Sequence, residues 1–188
     1  MSRRPSRRQL QRALFAILAA IVAAILLRAA PQKPPTTQLQ GGDSLEVKTV
    51  YDGDTIAVMR GSTLEKVRLL GIDTPETKDP RKPVQCFGRE ASSRTKELLT
   101  GRRVRLELDP SQGERDRYDR LLVYVWRDDG LFVNKSLLED GYAHEYTYQS
   151  VPYRYQAEFK AAAQQAEQAQ KGLWSPNTCS GDTKQPAG

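Results

Sequence analysis

The chain has 188 residues, of which 28% are charged and 38% hydrophobic, so it has room for one ordinary domain with appendages but not for two. The net charge of +6 is concentrated at the N-terminus, because seven basic residues stand at or before Lys33 and no acidic residue precedes Asp43. The remainder is close to neutral, which removes net charge as an argument for a polyanionic partner. Two cysteines and a single histidine also exclude a zinc cluster built from these residue types.

The N-terminal region combines five arginines with an uncharged stretch at 13–27 that contains only Ala, Leu, Ile, Val and Phe. This pattern predicts a signal peptide or a signal anchor over 1–28, with its N-terminus inside and the rest of the chain outside the cytoplasm. A buried amphipathic helix fits poorly because the stretch is apolar on all sides. The Pro-, Gln- and Gly-rich segment 29–42 predicts a tether. A folded domain is expected over 43–175, followed by a flexible tail over 176–188.

Short segments that alternate apolar and polar residues, bounded by turn residues, predict five strands at 45–50, 55–59, 64–70, 104–108 and 121–126. Helical spacing and composition predict helices at 88–100, 134–140 and 153–171, the second of them capped by Asn134. Three strands, a helix and two more strands are typical of a small, partly open barrel of the oligonucleotide-binding (OB) type, with about three helices outside it.

The first chemical motif is the turn Asp52-Gly53-Asp54-Thr55 between the first two strands. Two carboxylates on a tight turn offer hard oxygen ligands, which suit Ca²⁺ or Mg²⁺. Taken alone, the same residues also fit an ordinary hairpin turn.

The second motif lies at the end of the third strand, in the sequence Arg68-Leu-Leu-Gly-Ile-Asp73-Thr-Pro-Glu76. Alternation places Arg68 on the face opposite its apolar neighbours Val67 and Leu69. Asp73 could supply a second metal ligand, and Glu76 could take a proton from water. A helix start or a turn would explain the Asp-Thr-Pro-Glu segment equally well.

The third motif, Asp116-Arg117-Tyr118-Asp119-Arg120, comes directly before the last predicted strand. Arginine binds phosphate through two parallel N–H groups, and an aromatic ring beside it can stack on a base. A solvated charged turn is the alternative for this motif taken alone.

In their order and spacing, the three motifs resemble the staphylococcal nuclease, or thermonuclease, family. The resemblance runs from about Leu45 to Trp174. It implies a five-stranded OB-fold barrel with three helices, and Ca²⁺-dependent cleavage of DNA and RNA that leaves 3′-phosphate ends. It also implies a nucleic-acid substrate as partner. No protein partner is evident, and we expect a monomer with a membrane contact through the N-terminal segment.

The resemblance also assigns roles to individual residues. Metal ligation falls to the carboxylates of Asp54 and Asp73 and to the backbone carbonyl of Thr74, with Asp52 as a supporting acid. The catalytic set contains a general base and two phosphate-binding arginines, namely Glu76, Arg68 and Arg120.

Further residues are implied to contact the nucleotide, namely Arg117, Tyr118 and Tyr146. For Tyr146 the alternative is that it merely covers the core together with Tyr148. At Asp119 the family commonly has glycine, and aspartate is one of the residues that tolerate a left-handed backbone.

A non-catalytic nucleic-acid-binding module on the same barrel is the rival function. Relatives that have lost catalysis are expected to replace the Arg, Glu or Asp positions of the site, and here all of them are present. The remaining pair of interest is Cys86 and Cys179, for which export predicts a disulfide, with two unrelated thiols as the alternative.

Overall fold

The computed structural model describes residues 43–80 and 83–187, together with Arg8. Apart from Arg8, the predicted signal segment 1–28 and tether 29–42 lie outside the described residues. Contacts divide the chain into two units, Met1–Gln38 and Leu39–Gly188, and the barrel lies in the second. None of the helices within the described residues has the length and apolar character needed to span a membrane.

The strands of the described region are, in chain order, β1 (Leu45–Val50), β2 (Thr55–Arg60), β3 (Thr63–Leu69), β4 (Ile72–Asp73), β5 (Arg103–Leu108), β6 (Leu121–Arg127) and β7 (His144–Glu145). The α-helices of the same region are α1 (Gly88–Leu99), α2 (Val133–Glu139) and α3 (Gln156–Gln168). Single 3₁₀ turns occupy Tyr148–Ser150 and Gly172–Trp174.

Five of the strands form a closed barrel in the order β1-β2-β3-β6-β5, which confirms the predicted OB-type barrel with three helices. Neighbouring strands are antiparallel except for β3 and β6, which pair in parallel with Val67 opposite Leu121 and Leu69 opposite Val123. The barrel closes through a short pairing of β1 with β5, at Leu45 and Val104. The barrel is therefore closed, whereas the sequence predicted a partly open one.

Alternating side chains fill the barrel, as the period of a half-buried strand requires. Ile56, Val58, Val67 and Leu69 are fully buried. Burying one aliphatic side chain of this size contributes about 1.5–3 kcal/mol to stability. Helix α2 packs on β6 and on α3, where Phe159 of α3 joins the aromatic part of the core.

Asn134 does not cap α2, contrary to the sequence prediction. The cap position is Phe132, and the helix makes no side-chain cap hydrogen bond. Asn134 is instead fully buried, where its Oδ1 accepts from the Val125 amide at 2.8 Å and its Nδ2 donates to the Leu70 carbonyl at 2.9 Å. A buried amide needs such partners, and here they join β6 to the segment that follows β3.

The predicted disulfide is present and joins Cys86, just before α1, to Cys179, with their Cα atoms 5.9 Å apart. The segment after it, which the sequence predicts as a flexible tail, runs back along the residues that precede α1. The amide of Cys86 donates to the Gln185 carbonyl, and the amide of Ala187 donates to the Val84 carbonyl, both at 2.8 Å. A tail without apolar periodicity gave no sign of this pairing, because backbone hydrogen bonds leave no pattern in the side chains.

Candidate active site

The turn between β1 and β2 holds the first acidic pair in a fixed conformation. The buried hydroxyl of Thr95, on α1, donates to the Gly53 carbonyl at 2.7 Å. A Cβ at Gly53 would lie 2.7 Å from atoms of the Thr74 side chain, so this position requires glycine. The amide of Asp54 donates to Asp52 Oδ1 at 3.2 Å. Helix α1 and the loop after β4 together hold the turn that carries both carboxylates.

Asp54 connects this turn to the loop that follows β4. Its Oδ2 accepts from the Thr74 amide at 2.9 Å and from the Thr74 hydroxyl at 3.0 Å. The same oxygen lies 3.2 Å from Arg68 Nη2, and Oδ1 accepts from the Thr55 hydroxyl. Because Asp54 is only 6% exposed, these contacts compensate for the loss of water around its charge.

Arg68 occupies β3 on the face opposite the buried Val67 and Leu69, as predicted. Its Nη1 donates to the carbonyls of Leu69 and Ile72, both at 2.8 Å, and its Nη2 contacts Asp73 Oδ1 at 3.0 Å. The guanidinium therefore sits between the two predicted metal-binding carboxylates and also holds the chain reversal that leads from β3 into β4.

Arg120 reaches the same place from the start of β6, which the parallel pairing sets beside β3. Its Nε and Nη2 both contact Asp116 Oδ2, at 2.7 and 2.6 Å, and its Nη1 donates to the Thr55 hydroxyl at 3.2 Å. Asp119 has a φ of 61°, the left-handed conformation that glycine commonly supplies. The Asp119 carboxylate lies 3.7 Å from Arg115, so its charge is paired with a different arginine.

Glu76 lies in the loop after β4, and the backbone orients its carboxylate. Its Oε1 accepts from the amides of Lys78 and Asp79, at 2.6 and 3.2 Å. Its own amide donates to the side-chain oxygen of Gln85 at 2.7 Å. The carboxylate and the backbone amide of Glu76 are thus both held by groups outside the sheet.

These elements enclose an open pocket of about 160 Å³, lined by Asp52, Asp54, Arg68, Asp73, Thr74, Pro75, Glu76 and Arg120. The structure therefore brings together every residue predicted to bind metal or to act in catalysis, although the three motifs are far apart in the sequence. Four carboxylates and two guanidinium groups face one small volume, which is an arrangement expected of a site that handles charged groups.

The electrostatics of the pocket are most evident at Asp52. Burial, with the neighbouring charge of Asp54 adding to it, raises the pKa of Asp52 to about 6. Hydrogen bonds and the positive charge of Arg68 oppose this shift without cancelling it. The charged form of Asp52 is therefore less favoured here than it would be on an exposed aspartate.

The residues predicted to contact a nucleotide lie outside the pocket lining. Tyr118 is 62% exposed, and the guanidinium groups of Arg117 and Arg120 lie 4.8 and 5.3 Å from its ring centre. Tyr146 is also exposed, with its ring 6.4 Å from that of Tyr148. Its exposure leaves part of the ring accessible to a ligand.

Three residues that support the site were not singled out from the sequence. Thr95 looked like one more position on the inner face of α1, and Gln85 stood in a loop without any pattern. Asp116 belonged to a predicted motif, but its role as the partner of Arg120 did not follow from spacing. Hydrogen bonds to Arg120 and to nearby amides outweigh burial and lower the pKa of Asp116, which keeps this partner ionised.

Comparison with known proteins gives the same assignment as the motifs. A family model described as "Staphylococcal nuclease homologue" matches residues 66–176. The chain is 43% identical over 130 residues to a thermonuclease of Staphylococcus hyicus, covering 69% of this chain and 75% of the relative. It is 41% identical over 144 residues to a thermonuclease of Staphylococcus intermedius, covering 77% and 83%. It is also 41% identical over 125 residues to Endonuclease YncB of Bacillus subtilis strain 168, covering 66% and 58%. With its barrel, its pocket and these relatives, the chain belongs to the staphylococcal nuclease family.

Proposed function

We infer that this protein is a nuclease that hydrolyses phosphodiester bonds of DNA, RNA or both. The observation that carries this inference is the convergence of Glu76, Arg68 and Arg120 on one open pocket. The relatives named thermonuclease and endonuclease support the same activity.

The chemistry requires a base and concentrated positive charge, because water is a poor nucleophile and the phosphodiester is already anionic. Glu76 accepts the proton of the attacking water, with its carboxylate oriented by the amides of Lys78 and Asp79. Arg120 retains N–H groups beyond those used on Asp116 and Thr55, and these can bind the phosphate oxygens. Arg68 keeps the acidic side of the pocket partly neutralised.

The donor set fits a hard divalent cation, and we propose Ca²⁺. Asp54, Asp73 and the Thr74 carbonyl offer only oxygen, with no nitrogen or sulfur, which is the preference of Ca²⁺ rather than Zn²⁺. In residues 43–80 and 83–187 no group of three His, Cys, Asp or Glu side chains is arranged to hold a metal. The ligands proposed here are two carboxylates and one backbone carbonyl. When bound, the ion would supply positive charge to the pocket, held by Asp54, Asp73 and the Thr74 carbonyl.

Cleavage of labelled single- and double-stranded DNA and RNA by the oxidised chain from Gly42 onward tests the activity. We expect cleavage with 3′-phosphate products. Binding of these oligonucleotides without cleavage under any divalent metal would instead support the rival binding module.

We also propose that the domain lies outside the cytoplasm, either anchored or released by its N-terminal segment. The disulfide between Cys86 and Cys179 supports this proposal, because such bonds persist in oxidising compartments. Protease added to intact cells or spheroplasts should digest the domain and spare cytosolic markers. Protection of the domain would overturn the topology, and a mature N-terminus after Ala30 would select the cleaved signal.

A further inference from the structure

We propose that Gln85 is a positioning residue for Glu76, and that the C-terminal segment 179–187 acts as a strap that keeps Gln85 in place. This inference rests on the proposed role of Glu76 as general base. Within the described residues, neither Gln85 nor the strap forms a hydrogen bond with Arg68, with Arg120 or with the acidic turn between β1 and β2.

The first observation is a reciprocal pair of hydrogen bonds across the loop that carries Glu76. The Glu76 amide donates to Gln85 Oε1 at 2.7 Å, and the Gln85 amide donates to the Glu76 carbonyl at 3.0 Å. The two residues are nine positions apart, so this pair closes the loop at its base. Without it, the backbone of Glu76 loses two hydrogen bonds to the segment that precedes α1.

The second observation is that the start of α1 also holds Gln85 in place. The Gly88 amide donates to the Gln85 carbonyl at 3.0 Å, which fixes Gln85 at the entry to the helix. A Cβ at Gly88 would lie 2.8 Å from the Thr77 side chain and 3.2 Å from the Glu76 carbonyl. The start of α1 therefore packs directly against the loop of Glu76.

The third observation is that the strap holds Gln85 from both sides. The disulfide and the Cys86 amide, which donates to the Gln185 carbonyl at 2.8 Å, anchor the residue after Gln85. The Ala187 amide donates to the Val84 carbonyl at 2.8 Å and anchors the residue before it. Gln85 itself pairs with Pro186 as a short antiparallel bridge.

The physical reason for such a strap is the short reach of proton transfer. A general base must stay within hydrogen-bond distance of its water, and a displacement of about 1 Å can cost ~10²-fold in rate. Glu76 belongs to a loop and not to a strand, so the sheet alone does not hold it. The disulfide and the burial of Cys179 restrict the motion of the strap, and the strap in turn restricts the motion of this loop.

The decisive experiment compares Gln85→Ala with the parent in the oxidised, full-length chain. We expect kcat to fall about tenfold, roughly the value of one lost hydrogen bond, with KM nearly unchanged. Gln85→Glu keeps the acceptor and should recover part of the loss. Gln112→Ala is the matched control, because the Gln112 side chain also forms a hydrogen bond with the backbone, by donating its Nε2–H to the Pro152 carbonyl at 3.0 Å. Its kcat should equal that of the parent.

A double-mutant cycle decides whether Gln85 acts through Glu76. In a Glu76→Gln background, Gln85→Ala should have no further effect on kcat, whereas an equal further loss would overturn the proposal. Amide exchange at Glu76 should be faster in Gln85→Ala and in the Cys86→Ser/Cys179→Ser pair, and unchanged exchange in both would refute the strap. This exchange does not depend on activity. A Glu76→Gln variant that cuts normally would therefore refute Glu76 as the general base, while the exchange measurement would still test whether the strap holds Gln85.

Discussion

Replacing Arg120 by alanine should lower kcat by about 10²–10³, or ~3–4 kcal/mol, while the domain stays folded. The reason is that Arg120 carries positive charge to the rim of the pocket, where the phosphate gains charge as it is attacked. A donor held ready by Asp116 and Thr55 has no reorganisation to make at that moment, so its loss falls on the transition state. The same range is expected for Arg68→Ala and for Glu76→Gln.

Two further variants define the role of the guanidinium. Arg120→Lys should rescue little, because an ammonium is a point charge without two parallel donors. Arg127→Ala is the matched control, since Arg127 lies at the other end of β6, pairs with Asp129 and has a side chain 20% exposed, against 21% for Arg120. Steady-state kinetics and a thermal melt of each variant give the comparison. If the Arg120→Ala variant is folded and cuts as fast as the parent, the proposed catalytic mechanism is wrong.

Removing calcium with EGTA should abolish cleavage, and added Ca²⁺ should restore it while Zn²⁺ should not. The oxygen-only donor set of Asp54, Asp73 and the Thr74 carbonyl is the reason, because a hard cation matches these ligands. Without the ion, the acidic side of the pocket repels the phosphate that the arginines attract. Undiminished activity in EGTA would overturn the calcium assignment.

Direct calcium binding separates ligation from catalysis. Asp54→Asn should weaken Ca²⁺ binding measured by calorimetry, because it removes a buried charge that the ion would otherwise contact. Asp129→Asn is the control, since this carboxylate pairs with Arg127 on the surface. Normal calcium affinity in Asp54→Asn would place the ion elsewhere.

Periodicity and turn residues were sufficient to predict the barrel. The first four residues of β1 and of β5 alternate between buried and exposed positions, whereas β2 begins with four consecutive buried residues and lies between two turns. β1 begins and ends where the pattern places it, at Leu45 and Val50, and the ends of β2 and β6 differ from the prediction by a single residue. The two-residue strands β4 and β7 were not predicted, since a pair of residues has no period. Asn134 was mistaken for a cap because its buried partners, Val125 of β6 and Leu70 after β3, meet it only in the folded domain.

The three motifs were recognisable because the chemistry proposed for them depends on residue type and order. Their supports were not, because Thr95, Asp116 and Gln85 act through hydrogen bonds that depend on the folded geometry. The left-handed φ of Asp119 shows the intermediate case, where the turn demands a conformation and the sequence offers a residue that tolerates it. Sequence thus predicts the reacting groups better than the groups that hold them.

The parallel pairing of β3 with β6 has a consequence for how the domain is made. The β1-β2-β3 meander contains only local contacts, so it can form as soon as these strands leave the ribosome. One edge of β3 pairs with β6, where Arg68 lies opposite Leu122. This edge therefore stays unpaired until β6 has been synthesised. A chain that ends before Arg120 lacks β6 as well and leaves this edge exposed. The two arginines of the pocket therefore meet only when the long-range pairing of β3 with β6 forms.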